Sequence, residues 1–221
     1  MLRRLRFACL FVFLALLALL AGVQSPAPAT VTFTLDFPNS QPEHYSIRVQ
    51  SDGAAHYESS GRLSPDFEET DNFAFDFTVT ANRRQKIFDL TAKAGYFQRD
   101  LDSHRKGLAF TGKKTLAYKD AQRAGESTYN YSSNASAEEL TDLMQRLAAT
   151  LEFGRRLDYD HRYQKLALDQ ELKRMEEMAH GNQLGEIAAI QPILDQIVAD
   201  PAVINVTRAR AQRLSQSAGV H

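Results

Sequence analysis

The chain has 221 residues, a formal net charge of −1 and a single cysteine, Cys9. A chain of this length buries a sufficient core without disulfide or metal cross-links. Its balanced charge provides no basic field of the kind that binds nucleic acid, so no nucleic-acid partner is predicted.

The first 29 residues have the layout of a secretory signal peptide. Arg3, Arg4 and Arg6 precede an uncharged apolar run over residues 7–23, and Ala27-Pro28-Ala29 has the small-residue spacing that signal peptidase cleaves. The alternative is an uncleaved anchor, because 17 apolar residues are near the lower limit for spanning a bilayer. The segment predicts export by the Sec route to the periplasm or the exterior, with membrane contact only through residues 7–23 if it is uncleaved.

Cleavage after Ala29 would leave 192 residues without any cysteine. Such a chain has no disulfide, no thiolate nucleophile and no cysteine–metal site. An exported protein without disulfides is more typical of bacteria than of animals. Three of the 26 basic residues lie in the signal, which leaves 23 basic residues against 27 acidic ones.

The first half of the mature chain alternates apolar and polar residues with a period of two. This pattern over residues 31–37, 45–49, 55–59 and 73–79 predicts four strands with one buried face. Asp52-Gly53 between two of these runs predicts a tight hairpin turn. A second hairpin is predicted around residues 120–125.

Helical spacing over residues 82–97 predicts a helix that covers the sheet, with its N-terminal cap at Asn82 or at Thr80. Ser136 and Glu139 resemble a capping box ahead of a second helix, in which Gly154 is either the end or an interior residue. A third helix is predicted from about Asp158 to His180, followed by further helices after Leu184.

These elements predict an α+β fold, in which an antiparallel sheet of hairpins is covered by one or two helices and followed by a C-terminal helical region. We place the α+β body at residues 30–152 and the helical region at residues 153–221. No linker rich in Gly, Ser or Pro separates them, so the two regions can form one unit.

The hairpin and the covering helix carry a resemblance to a known group. The segments concerned are Tyr45-Ser-Ile47-Arg-Val49, Asp52-Gly53, Tyr57-Glu58 and the helix end Gly95-Tyr96-Phe97. Over about a third of the chain they resemble uncharacterised exported bacterial domains that have an Asp-Gly hairpin followed by a helix. The resemblance implies no activity.

The segment DYDHRY, residues 158–163, is the first candidate for chemistry. Asp158 lies three residues before His161, so on a helix the two could pair and make the imidazole a general base. The competing interpretation is architectural: Asp158 caps a helix, or pairs with Arg162, while Tyr159 packs on Tyr163. We favour architecture over catalysis.

The loop segment DLDSH is the second candidate. Asp100, Asp102 and His104 alternate as calcium ligands do, but the glycine and the closing glutamate of an EF-hand are missing. A solvated loop is favoured over a metal site, and no cofactor is predicted.

The sequence lacks the HExxH motif of zinc peptidases and the GxSxG motif of α/β-hydrolases. We therefore predict a non-catalytic binding or interaction module of the cell envelope, with a protein or envelope partner at the sheet edges. Tyrosines 45, 57, 118, 129 and 131 are either interface residues or, as we favour, residues that line the sheet's own core or its rim. The alternatives are an envelope hydrolase that uses carboxylates or His161, and a membrane-anchored envelope factor.

Overall fold

The computed structural model describes residues 27–61 and 71–217. The predicted signal therefore lies outside the described residues, except for residues 27–29, which lead into the first strand. The strands are β1 Thr30–Asp36, β2 His44–Gln50, β3 Ala54–Gly61, β4 Asp71–Thr78, β5 Lys113–Lys119 and β6 Ala124–Tyr129. The helices are α1 Ala81–Lys93, α2 Ala135–Tyr163, α3 Leu168–His180, α4 Gln191–Ala199 and α5 Asn205–Ser217, with short 3-10 turns at Gly95–Phe97 and Ile187–Ile190.

The six strands form one antiparallel sheet in the order β4-β3-β2-β1-β5-β6. Both predicted hairpins are present. In the first, Val49 pairs with Ala55, and the Asp52 carboxylate accepts a hydrogen bond from the Ala54 amide at 2.9 Å. In the second, the Asp120 carboxylate accepts from the amide of Gln122 at 2.7 Å and so shapes the turn.

The inward side chains of the sheet form the core together with α1 and α2. Val31, Phe33, Ile47, Tyr57 and Leu116 are completely buried beneath these helices. Alternation along each strand places these residues on one face, because successive strand side chains point to opposite sides. The predicted α+β architecture is confirmed, with two helices over the sheet and a helical C-terminal region.

Helix α1 begins at the second of the two predicted caps. Thr80 is the N-cap, and its hydroxyl accepts a hydrogen bond from the Arg83 amide. Ile87 and Leu90 then face the core. Placing the cap at Asn82 was wrong, because Asn82 is already inside the first helical turn.

Helix α2 is one continuous helix of 29 residues and passes through Gly154 and Asp158. Its N-cap is Asn134, whose side chain accepts from the amides of Ser136 and Ala137 at 3.0 Å each. The predicted capping box was wrong, because Glu139 instead forms an ion pair with Lys86 of α1 at 2.7 Å.

The C-terminal helices pack beside the end of α2. Helix α3 begins at Leu168, not at Asp158, and ends at His180, where the amide of the C-cap residue Gly181 donates to the Glu177 carbonyl at 3.0 Å. Helix α4 carries Pro192 in its first turn, a position where the missing amide hydrogen costs nothing. The part of the chain that the structure describes contains no helix long and apolar enough to cross a membrane.

Candidate functional site

His161 and Asp158 lie near the end of α2 but bind different partners. The His161 Nε2 atom is 3.0 Å from Asp200 Oδ2, and the Arg162 Nη2 atom is 2.8 Å from Asp158 Oδ1. Lys165 also donates to Asp200, which lowers the pKa of that carboxyl to about 2. His161 thus connects α2 to the turn between α4 and α5. Asp158 is an interior helix residue, so its predicted capping role was wrong, whereas its pair with Arg162 is confirmed.

The loop brings Asp100, Asp102 and His104 together. The two aspartate carboxylates, however, already accept hydrogen bonds from backbone amides. Asp100 accepts from the Asp102 amide at 2.9 Å and lies 2.7 Å from the His104 ring. Asp102 accepts from the amides of His104 and Asn130 at 2.6 and 3.1 Å. These bonds lower the pKa of both carboxyls, and Asp100 raises that of His104. Among the described residues, no three metal-binding side chains are placed to hold an ion.

Ser103 and Lys106, in the same loop, have the S-x-x-K spacing of one class of serine enzymes, which sequence reasoning missed. That spacing brings the hydroxyl and the amine together only on a helical turn. Here both residues lie in an irregular segment, and Lys106 is exposed. Because Ser103 and Lys106 are not on a helix, their spacing does not bring the hydroxyl and the amine together as nucleophile and base.

Four of the five tyrosines considered as interface residues belong to the core. Tyr45, Tyr57, Tyr118 and Tyr129 are at most 6% exposed. Burial raises the pKa of each phenol, to about 12 for Tyr118. The favoured prediction of a core role is confirmed for these four, and they are not available to a partner.

A buried polar network lies where the sheet meets α2. The Glu152 carboxylate accepts hydrogen bonds from the hydroxyls of Tyr57 and Ser59 at 2.8 and 2.7 Å. Arg155, whose side chain is 4% exposed, lies 3.7 Å from Glu152 and donates to Asp71 of β4 at 3.1 Å. Burial and the adjacent Glu152 raise the pKa of Tyr57, so its phenol stays protonated. The network ties β3, β4 and α2 together.

Strand β4 forms one end of the sheet and carries a row of partly exposed aromatic side chains. Phe73, Phe75 and Phe77 are stacked along the strand, with successive ring centroids 6.2 and 6.1 Å apart. Within the described residues, the β4 backbone is hydrogen-bonded on its β3 side only. Its outer edge therefore offers amide and carbonyl groups beside an apolar surface.

An apolar cleft of about 260 Å³ opens beside this strand, between β4, α2 and the start of α4. We call it the β4 cleft. Its apolar walls are formed by Phe73, Phe75, Leu151, Ile190, Pro192 and Ile193. Asp158 and Arg162 also border the cleft, as an exposed ion pair that neutralises itself. The cleft can take an apolar side chain, and the buried Arg155 side chain also lines it.

A larger cleft of about 460 Å³ lies between the start of α1 and helices α3 and α5. Its charged side chains are paired with each other. Glu186 accepts from Arg83 at 3.3 Å, and Glu176 is 2.8 Å from Arg213. Because these charges are already neutralised, the β4 edge and its cleft are the stronger candidate site.

Comparison with known proteins adds no relative to this picture: no family model matches the chain, and no curated protein matches it.

The sequence interpretation identified β4 as a strand but missed its exposed edge and the network behind it. The alternating phenylalanines predict a buried face, yet they do not reveal that β4 ends the sheet. Glu152 and Arg155 were missed because charged residues three apart in a helix usually lie on its solvent side. The single charged residue Glu152 inside the apolar sequence LEFG, with Arg155 directly after it, was the available signal.

Proposed function

We propose that the protein is a non-catalytic binding module that accepts an extended segment of a partner along β4. The observation that carries this proposal is the outer edge of β4, which pairs with no other strand among the described residues and whose partly exposed phenylalanines lie beside the apolar β4 cleft. An added strand gains affinity from main-chain hydrogen bonds, and its specificity comes from pockets that receive alternate side chains. The β4 edge supplies the main-chain hydrogen-bonding groups, and the β4 cleft supplies a pocket for a side chain.

The other end of the sheet is less suited to this role. The segment that carries Leu101 and Asp102 lies beside the end of β6, where Asp102 forms a bridge with Ser132 and the Leu101 amide donates to Ser127 at 2.9 Å. An incoming strand would have to displace these contacts. We therefore assign the binding edge to β4.

The site of action proposed for this module is the cell envelope or the exterior of a bacterium. The support is the signal-like segment over residues 1–29 together with the cysteine-free chain that follows it. The intact mass of the exported product checks this part of the proposal, since cleavage after Ala29 removes 29 residues. An exported product with its full mass would instead favour the anchored form.

Selection from a phage-displayed library of random seven-residue peptides tests the binding edge. We expect the wild-type protein to select peptides with large apolar residues at alternate positions. Phe75→Lys places an inward-facing charge on the edge strand, which opposes strand addition, and should abolish the selection.

The matched control is Phe110→Lys, which makes the same change at an exposed phenylalanine of the loop before β5. This variant should select the same peptides as the wild type. Circular dichroism and thermal melting verify that both variants are folded. Equal selection by the Phe75→Lys variant and the wild type would overturn the assignment to β4.

A further inference from the structure

The β4 edge is suited to pairing with itself. In an antiparallel pair, the side chains of two residues directly opposite each other point to the same face of the sheet. A two-fold axis between two β4 strands must therefore place one residue opposite its own copy, and we name the axis by that residue. The axis position decides which side chains meet. This choice can be evaluated from the β4 sequence Asp71-Asn-Phe-Ala-Phe-Asp-Phe-Thr78.

An axis at Phe75 gives the most complementary pairing. Phe75 then lies opposite its own copy, and Phe73 lies opposite Phe77 on either side of it. On the outer face Ala74 lies opposite Asp76, and Asn72 opposite Thr78. No two like charges are opposed, and every phenylalanine meets another, a type of cross-strand pair that stabilises sheets.

Other axis positions are less favourable. An axis at Asp76 opposes two carboxylates, which is destabilising. An axis at Ala74 places Asp71 opposite Phe77, although Asp71 is engaged by Arg155 at 3.1 Å. An axis at Phe73 aligns Asp71 with Phe75 and shortens the overlap of the two strands.

We infer that the segment accepted along β4 is the β4 strand of a second copy of this chain, paired antiparallel about an axis at Phe75. This inference rests on the proposed function, because it names the occupant of the same edge. Pairing would join two six-stranded sheets into one of twelve strands and bring six phenylalanines together next to the two β4 clefts. Such an isologous contact closes as a dimer and leaves neither β4 edge open.

Analytical ultracentrifugation over a range of concentrations tests for the dimer. We expect the wild-type chain to reach twice the monomer mass, and Phe75→Lys to raise the dissociation constant at least tenfold. Phe110→Lys is again the matched control and should dimerise as the wild type does. A wild-type chain that remains monomeric, or a dimer that Phe75→Lys leaves unchanged, overturns the inference.

Cysteine cross-linking tests the register, because the chain after residue 29 contains no native cysteine. An Ala74→Cys chain mixed with an Asp76→Cys chain should form a disulfide-linked dimer under mild oxidation, since these positions are opposite when the axis is at Phe75. The Ala124→Cys and Glu126→Cys chains, altered in β6 at the other edge, are the matched pair and should not cross-link. Self-linking of the Ala74→Cys chain alone, without the mixed product, would overturn the proposed register.

The peptide selection, run on protein immobilised at a concentration below the dissociation constant of the dimer so that the β4 edge is free, separates failure of this inference from failure of the proposed function. A monomeric chain that still selects peptides through Phe75 overturns the second copy as occupant and leaves the strand-binding function standing. A chain that neither dimerises nor selects peptides overturns both.

Discussion

The carboxyl group of Asp160, in the last turns of α2, is held in an unfavourable environment. Partial burial and the nearby Glu171 carboxylate raise its pKa from 3.8 to about 6, although Arg156 opposes the change. A carboxyl with a raised folded-state pKa binds its proton more tightly in the folded chain than in the unfolded chain. The free energy of unfolding therefore decreases as the pH rises from about 4 to about 6, and the loss persists above pH 6.

We predict that Asp160→Asn stabilises the protein at neutral pH. Raising the pKa of Asp160 from 3.8 to about 6 corresponds to about 3 kcal/mol, and partial exposure of the carboxyl reduces the expected gain to about 1 kcal/mol. Urea unfolding of the variant and the wild type at pH 4 and pH 7.5 measures the free energy of unfolding. The variant should be the more stable of the two only at pH 7.5. An equal effect of Asp160→Asn at both pH values would contradict the assigned pKa shift.

At the scale of the elements, α2 depends on a glycine for its packing. A Cβ atom added at Gly154 would lie 2.5 Å from Ile190 Cγ2, so the 3-10 turn Ile187–Ile190 rests directly on the helix backbone. Glycine in a helix interior is unfavourable by about 1 kcal/mol relative to alanine, and the close approach explains its presence.

We predict that Gly154→Ala destabilises the chain by about 1–3 kcal/mol, because overpacking outweighs the gain in helix propensity. Ile190→Ala removes Cγ2, the atom at 2.5 Å, and leaves only the Cβ atom of residue 190, at 3.2 Å from the added methyl group. In that background, Gly154→Ala should be neutral or stabilising by up to about 1 kcal/mol. Chemical denaturation of the four chains in this double-mutant cycle provides the measurement. Simple additivity of the two substitutions would mean that the contact is not what excludes alanine.

The same helix shows which element boundaries a sequence can predict. The strands were predictable because alternation of apolar and polar residues indicates a strand with one buried face. The Asp-Gly pair likewise marks the hairpin turn. The end of α2 was not predictable: the break over Gln164, Lys165, Leu166 and Ala167 contains neither glycine nor proline. Asp158 has the chemistry of an N-cap, but the same carboxylate pairs equally well with Arg162 inside a helix. Only tertiary packing decides between these roles.

The candidate site was predictable only in part, for a related reason. The hypothesis of strand addition at a sheet edge follows from the antiparallel pattern, but the strand order decides which strand is an edge. The sequence spacing of Phe73, Phe75 and Phe77 is the same as that of the inward-facing residues in the interior strands. Their exposure results from the position of β4 at the end of the sheet, which is a property of the whole fold.

At the scale of the whole molecule, buried polar contacts join the N-terminal α+β body to the chain after residue 152. Glu186, which precedes α4 and has a side chain only 3% exposed, accepts hydrogen bonds from the Thr80 amide at 2.9 Å and from Arg83. It thereby completes the N-terminal cap of α1 from a distant part of the chain. Arg155 similarly joins α2 to Asp71 of β4. The division between residues 152 and 153 stays a prediction, and α2 passes through it without a break.

We predict that residues 30–217 unfold in one cooperative transition. A fragment of residues 30–152 would leave Glu152 without Arg155 and α1 without Glu186, and buried groups that lose their partners cost several kcal/mol. Far-UV circular dichroism and tyrosine fluorescence should give coincident denaturation curves for the long chain, and no cooperative curve for the fragment. Two separate transitions, or a fragment that folds by itself, would instead support two independent regions. The shared contacts of Glu186 and Arg155 would then be a docking interface.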